Sequence, residues 1–379
     1  GAAAGNDIHT QLMKIIAEGR KPPAEQAHGV SPAQMAFAYL SLAQVDFARG
    51  DIAAARNDVS AAAQIGVEDQ RFAEEAVDTL YLIGDLAAAR NIAETAMATW
   101  PTSRRVHIAI AEILLAQGKA SDALDILGKS DVTSLPIGQA VRADAKLATG
   151  DTDGARVDYE AALKKLPNLE RALVGRAWLD IAEGNLDDAR KRVEPHYSDK
   201  GSSAALTTVY AAILRRSGEL DKAKTLLEKV VAGPPSGDLV RAQLELARLD
   251  RDMGDLRGAR SAYADASKSG SFDARFESGL LAIDDRDPQG GRDTLDLLVK
   301  EAGDHPPPDL LLEAARARAL VGDHAGAKVL LDQAEKLPAT PTWKLERERG
   351  WLALRQGQFP ELGAAFTKAA FLGRKGTTT

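Results

Sequence analysis

The six histidines are the side chains of this 379-residue chain best suited to bind a metal or to move a proton at neutral pH. They stand far apart in the sequence, and no two of them share the spacing of one helical turn. The sequence contains no HExxH pair, which would place two imidazoles on one face of a helix, and no cysteine for thiol chemistry or zinc. We therefore expect neither a metal site nor a catalytic residue at these positions. The histidines are His9, His28, His107, His196, His305 and His324.

Two short motifs imitate ligand-binding loops, but each lacks a required residue. Residues 123–130, ALDILGKS, imitate a phosphate-binding loop, yet Ala123 stands where that loop needs its first glycine. Residues 151–154, DTDG, imitate the start of a calcium loop, but no acidic residue follows at the closing position. The sequence also contains neither GxSxG nor GxGxxG. It therefore predicts a protein without catalytic residues or cofactor, which is not an enzyme.

Composition limits the class of protein further. Hydrophobic residues make up 45% of the chain but aromatic residues only 5%, which favours helices packed through alanine and leucine. The formal net charge of −7 and the pI near 5.5 argue against a nucleic-acid partner, because nucleic-acid-binding domains are usually basic. No run of 18 apolar residues occurs, so we expect no direct membrane insertion.

The cellular compartment stays open at this stage. The first ten residues lack the charged and apolar regions of an intact signal peptide. The frequent use of alanine, arginine and aspartate is typical of bacterial proteins from GC-rich genomes. The cytoplasm and the periplasm are both compatible with the sequence, as is a membrane tether in a segment outside it.

A seven-residue motif that begins with glycine recurs along the chain with a period of about 34 residues. It reads GDIAAAR at 50–56 and GDLAAAR at 84–90. A helix-period pattern of apolar residues precedes each glycine, and a second such pattern follows it. Glycine ends a helix cheaply in the left-handed conformation, and the next aspartate suits the start of a helix. The motif therefore predicts the turn of a helical hairpin. The glycines are Gly50, Gly84, Gly118, Gly150, Gly184, Gly218, Gly254, Gly322 and Gly357.

Alanines accompany most of the turns at fixed positions, five residues after the glycine and seven before it, although Leu362 replaces the alanine after Gly357. They allow paired helices to approach closely. The full order is best kept in the fourth repeat, at Ala143, Gly150, Ala155, Tyr159, Ala162 and Pro167. This order resembles the tetratricopeptide repeat (TPR), and the resemblance covers about residues 33–372. The eighth repeat departs most, with Arg286 in place of the glycine and Pro288 in the turn.

The resemblance implies an all-α fold, a right-handed α-solenoid (superhelix) of about ten TPR helix-turn-helix repeats. We expect three segments along the chain. Residues 1–30 form an N-terminal lead with a short capping helix at 8–20, residues 31–372 form the solenoid, and residues 373–379 form a flexible tail.

The resemblance also implies that the first helix of each repeat lines a concave groove for a peptide or a partner protein. Side chains 13 and 6 residues before each turn glycine predict a groove that is acidic in the early repeats and basic with aromatic anchors later. Arginine pairs with carboxylates in bidentate fashion, and tryptophan anchors interfaces. The alternative is that these are solvated charges and packing tryptophans. The candidate partner-binding residues are Arg71, Arg105, Arg171, Trp178, Arg241, Arg248, Arg316 and Trp351.

These features predict a monomeric, non-enzymatic scaffold that binds a protein or peptide, with an acidic segment as the matching ligand. The resemblance leaves envelope assembly, secretion, exopolysaccharide export and motility open as bacterial roles. The alternative function is a regulatory or sensory arm of a larger kinase or glycosyltransferase whose catalytic part lies outside this chain. The two-carboxylate clamp of the family is not reproduced, because no asparagine stands at the matching first-helix positions.

Overall fold

The computed structural model describes residues 2–65, 68–199, 201–233 and 237–376. In this part of the chain there are twenty-one α-helices, three short 3-10 turns and no β-strand. One leading helix, α1, is followed by ten consecutive helix pairs. The even-numbered helices are the first helices of the repeats and the odd-numbered helices that follow are their second helices. The all-α fold of about ten helix-turn-helix repeats expected from the sequence is confirmed.

The chain divides into two compact units. The first unit comprises Gly1–Gly218 and Ala232–Gly237, and it holds α1 to α12. Within it, each first helix from α2 to α10 packs on its own second helix and on the first helix of the next repeat. Its helices are α1 (Ala2–Gly19), α2 (Pro32–Ala48), α3 (Ile52–Gln64), α4 (Gln70–Ile83), α5 (Leu86–Thr99), α6 (Arg104–Ala116), α7 (Ala120–Leu127), α8 (Pro136–Ala148), α9 (Thr152–Lys165), α10 (Glu170–Ala182), α11 (Leu186–Val193) and α12 (Ala204–Arg216).

The second unit comprises Glu219–Val231 and Asp238–Thr379, and it holds α13 to α21. Four complete hairpins, from α14/α15 to α20/α21, follow α13 in this unit. Its helices are α13 (Leu220–Val231), α14 (Leu239–Asp252), α15 (Leu256–Ser267), α16 (Phe272–Asp284), α17 (Pro288–Ala302), α18 (Pro308–Leu320), α19 (His324–Glu335), α20 (Thr342–Arg355) and α21 (Phe359–Gly376).

The turn between paired helices has the same construction in most repeats. Gly84 has a φ of 82°, in the left-handed region that favours glycine, and Asp85 then accepts a hydrogen bond from the backbone N–H of Ala88. The eighth repeat keeps this geometry without glycine, because Arg286 adopts a φ of 65°. A non-glycine residue there is strained, so the turn is dictated by the packing of the helix pair around it.

The small residues beside each turn lie where helices cross. Ala143 on α8 and Ala155 on α9 are both fully buried, and the same holds for the equivalent Ala177 and Ala189. Close helix approach removes these methyl groups from water and leaves no room for a longer side chain.

The two ends of the helical array extend further than expected from the sequence. The leading helix begins at Ala2, well before the segment 8–20 in which we expected it, because the alanine-rich start favours helix. At the other end α21 continues to Gly376, into the segment 373–379 expected to be a tail, and residues 377–379 lie outside the described residues. No described helix is both long and apolar enough to cross a membrane.

Candidate functional site

In the first unit, the predicted groove arginine Arg171 is used by the chain itself. It lies on α10, and its Nε donates to Asp144 Oδ2 on α8 at 2.5 Å. Its Nη1 donates to Glu112 on α6, and the hydroxyl of Tyr159 on α9 donates to the same Asp144. Burial raises the pKa of Glu112, and Arg171 opposes that rise. Burial alone would lower the pKa of Arg171, but Asp144 and Glu112 raise it above its usual value.

Arg105 and Arg71 occupy the same position on earlier first helices and stay accessible. Arg105 Nη1 lies 3.7 Å from Glu74 on the preceding first helix, and 62% of its side chain is exposed. Arg71 Nε donates to Glu75 on its own helix at 2.9 Å, and its guanidinium lies 5.7 Å from the ring centre of Phe37. Both guanidinium groups belong to largely exposed side chains, so both are accessible to a partner.

Trp178 and Arg241 differ in exposure. Trp178 on α10 is half-buried and packs against a cluster formed by Ala177, Val193 and other residues of α10 to α12. Arg241 on α14 is exposed. Trp178 therefore contributes to the packing of the first unit as well as to its surface.

In the second unit, Arg248 on α14 also has partners within the chain. Its Nη1 donates to the fully buried Glu245 at 2.6 Å, and its Nε donates to Glu277 on α16 at 3.0 Å. The hydroxyl of Tyr263 on α15 donates to Glu277 Oε2 at 2.8 Å. Burial acts to raise the pKa of Glu277, but the bonds from Arg248 and Tyr263 outweigh it and lower the pKa. Arg248 thus ties two first helices together.

The remaining two candidates, Arg316 and Trp351, line one open cleft of about 400 Å³ between α18 and α20. Trp351 is 44% exposed and sets its ring edge-to-face on Phe366, with 5.4 Å between ring centres. Arg316 makes only long contacts, 3.2 Å to Glu313 and 3.5 Å to Asp284. A partly uncovered indole beside a loosely held guanidinium is suited to binding a partner.

The cleft also contains three residues that the sequence analysis missed, Arg347, Glu348 and Arg355 on α20. Arg347 donates to the buried Glu348 at 2.8 Å. Arg355 is exposed and forms no ion pair with the described residues. The residues predicted from the sequence stand 13 and 6 positions before a turn, whereas these three stand 10, 9 and 2 positions before Gly357. A helical projection of all the residues on the inward face of α20 would have included these three.

The floor of the cleft is apolar. Leu320 and Leu352 line it together with Leu331 of the second helix α19. Small side chains on the facing helices, Ala315 and Ala319, leave the space open. The cleft thus combines an apolar floor with three arginines and one indole near its rim. Burial raises the pKa of Glu348, and Arg347 opposes that rise.

A smaller cleft of about 290 Å³ lies in the first unit among α5, α6 and α7. Its floor is apolar, with Ile113 and Ile126, and its rim carries both signs of charge, with Arg90 already paired to Glu94 at 2.7 Å. No candidate from the sequence lines it. In the described part of the chain, no three acidic, histidine or cysteine side chains gather closely enough to hold a metal ion.

Comparison with known families finds the same repeat in three places. Models of the tetratricopeptide repeat match residues 36–57, 83–130 and 244–306. The first of these segments spans the turn at Gly50, and the second spans the turns at Gly84 and Gly118. The third segment includes the turns at Gly254 and Arg286.

Among curated proteins, the chain is similar to the cellulose synthase 1 operon protein C of Komagataeibacter xylinus. The two are 33% identical over 95 residues, which is 24% of this chain and 7% of that protein. The cellulose synthase operon protein C of Komagataeibacter sucrofermentans is 31% identical over 108 residues, and 8% of it is covered. The chain therefore matches only a small part of the length of these relatives.

Two solved structures share the fold at low sequence identity. The human IFIT1 dimer with m7Gppp-AAAA has a TM-score of 0.59 and 14% identity, with 97% of this chain and 94% of that chain covered. The Cut9–Hcn1 hetero-tetramer of APC/C has a TM-score of 0.55 and 14% identity, with 78% and 55% covered. At this identity the likeness concerns the fold alone.

Proposed function

Because the chain is a tetratricopeptide repeat protein, we propose that it is a non-enzymatic docking module whose partner protein binds in the cleft between α18 and α20. Stacked helical hairpins of this kind serve protein–protein interaction by presenting rigid rows of side chains. The observation that carries the proposal is the exposed Trp351 beside Arg316 and Arg355 in an apolar-floored cleft. Preformed clefts of this kind cost little ordering on binding.

An acidic segment of the partner is the matching ligand at the rim. Arg355 forms no ion pair with the described residues, and the contacts of Arg316 are long. A partner carboxylate would therefore gain charge-assisted hydrogen bonds without displacing a strong pair. Arg171 and Arg248 are less suited to bind a partner carboxylate, because each already binds two carboxylates of this chain. The binding surface that we propose therefore consists of the predicted residues Arg316 and Trp351 with Arg347 and Arg355, all within the second unit.

Among the bacterial roles left open by the sequence, we propose exopolysaccharide synthesis or export. The support is the similarity of residues in this chain to two cellulose synthase operon proteins C. In that role the chain would hold a protein component of such machinery in place and perform no chemistry itself.

The proposal can be tested by site-specific photocrosslinking in the native host. A photoreactive amino acid at position 351 should capture a defined protein, whereas the same group at Val329, which is exposed on α19 outside the cleft, should not. The captured protein identifies the partner by mass spectrometry. The proposal is wrong if positions 351 and 329 capture the same set of proteins, or if position 351 captures none.

A further inference from the structure

Two neighbouring parts of the second unit carry the same arrangement of residues with one difference. Each has an arginine six residues before a turn, Arg248 or Arg316, and a glutamate nine residues before the next turn, Glu277 or Glu348. The difference lies nine positions after the first turn of each arrangement, which is at Gly254 in one and at Gly322 in the other. It is a tyrosine at 263 and a leucine at 331.

In the upstream arrangement the tyrosine completes the packing between α14 and α16. Tyr263 is fully buried, and its hydroxyl donates to Glu277 Oε2 at 2.8 Å. The Nε of Arg248 donates to the same oxygen at 3.0 Å. The phenol thus adds a donor to a carboxylate whose two oxygens both also accept hydrogen bonds from Arg248.

In the downstream arrangement the phenol is missing. Leu331 carries no hydrogen-bond donor, and it lines the cleft of about 400 Å³ together with Glu348. Both contacts of Glu348 with Arg347, at 2.8 Å and 2.7 Å, go to its Oε1. Its Oε2 accepts no hydrogen bond from the described part of the chain, although the residue is only 5% exposed. A carboxylate oxygen that accepts no hydrogen bond from the described residues, on a largely buried side chain, therefore stands at an open, apolar-floored cleft.

We infer that this cleft binds the side chain of a tyrosine from the partner protein, with its ring over Leu331 and its hydroxyl donating to Glu348 Oε2. The bound phenol would reproduce from outside the contact that Tyr263 makes from within. The inference rests on the proposed docking function and names the anchor of that partner. Arg316 and Arg355 at the rim favour an acidic residue next to the tyrosine.

The chemistry of the cleft discriminates against phenylalanine. A benzyl ring would fill the same apolar space but would cover Glu348 without giving it a donor, which costs the desolvation of a charged acceptor. Sites that hydrogen-bond a ligand hydroxyl reject the analogue without it more strongly than apolar pockets reject a change of size. A tyrosine anchor is thus favoured over all other aromatic anchors of that size.

The test uses p-cresol, the side chain of tyrosine as a free molecule, with the full unaltered chain. We expect saturable one-to-one binding in ligand-observed NMR or calorimetry, about 10- to 100-fold tighter than that of toluene or 4-methylanisole, which lack the hydroxyl donor. Leu331→Tyr should abolish p-cresol binding by filling the space, and Glu348→Gln should weaken it. Tyr263→Leu should create a second binding site between α14 and α16.

Equal binding of p-cresol and toluene, or no p-cresol binding at millimolar concentration, would overturn the inference. Because that comparison needs no substitution, it decides the matter even if Leu331→Tyr fails to fold. Partner capture at position 351 without p-cresol binding would refute the tyrosine anchor and leave the docking function standing. Binding of p-cresol without any capture would refute the docking function instead.

Discussion

The guanidinium of Arg171 on α10 binds the carboxylate of Glu112 on α6, so that one side chain spans two repeats. Asp144 on the intervening first helix binds the same guanidinium. Charges that stand 27 and 59 residues from Arg171 in the sequence are therefore neutralised inside the first unit. These ion pairs link the first helices of three successive repeats.

Replacing Arg171 by methionine should destabilise the first unit by about 2–4 kcal/mol, because Asp144 and the largely buried Glu112 would lose their counter-charge. The urea midpoint of unfolding, followed by circular dichroism, measures the effect. Arg71→Met is the matched control, since Arg71 holds the same repeat position but is itself largely exposed and pairs with the partly exposed Glu75, and it should cost less than about 1 kcal/mol. Equal losses in the two variants would contradict this role of Arg171.

Replacing Tyr263 by phenylalanine should cost about 1.5–3 kcal/mol, because its buried hydroxyl bonds a charged carboxylate, Glu277. Thermal unfolding measures the loss. Tyr197→Phe serves as the control, since the hydroxyl of Tyr197 bonds the solvent-exposed Asp199 and its removal should be nearly neutral. Tyr263→Phe with unchanged stability would mean that Arg248 alone satisfies Glu277.

The spacer alanines should not tolerate larger side chains. Ala143→Leu on α8 should cost about 1–3 kcal/mol by overpacking, because Ala143 is fully buried at the crossing with α9. Ala148→Leu at the exposed end of the same helix should change stability little. Chemical denaturation of both variants checks the difference, and a neutral Ala143→Leu would show that the crossing has room to spare.

The stability of the first unit should fall as the pH rises through 6, because of Asp58 on α3. Burial and the nearby Asp46 raise the pKa of Asp58 to about 6, above the value of about 4 that an aspartate has in an unfolded chain. A carboxyl with a raised pKa stabilises the fold fully below pH 4 and loses that contribution as pH rises through 6. Asp58→Asn should therefore raise the melting temperature by about 2–4 °C at pH 7.5 and leave it unchanged at pH 4.

The control for this pH effect is Asp125→Asn, which removes an exposed carboxylate on α7. It should change the melting temperature alike at both pH values. If Asp58→Asn gave the same shift at pH 4 and pH 7.5, the penalty for ionising Asp58 would be refuted.

Once the partner has been identified, charge reversal at the cleft should weaken its binding. Arg355→Glu should lower its affinity about tenfold or more, because a carboxylate then faces an acidic segment. Lys328→Glu makes the same change of charge on the exposed face of α19 and should have little effect. Surface plasmon resonance with the identified partner compares the two. Equal affinities of the Arg355→Glu and Lys328→Glu variants for the partner would show that the rim of the cleft does not bind acidic residues.

Local structure followed from the sequence because its causes are local. The turn glycine, the aspartate that caps the next helix and the alanine five residues on act over a few neighbouring positions, as at Gly84, Asp85 and Ala89. Even the strained turn at Arg286 could be placed, because the period of the array required a turn there. The fold class and the number of repeats were therefore readable from residue order.

The use of each inward charge was decided only by the tertiary structure. Arg171 and Arg316 look alike in the sequence, yet the first reaches two carboxylates on earlier helices and the second is left loosely held beside an open cleft. Whether such an arginine is bound within the chain or stays loosely held depends on the distance to carboxylates on neighbouring helices and on the side chains that fill the space between those helices. At Leu331 the missing phenol leaves that space open, and this places the cleft between α18 and α20.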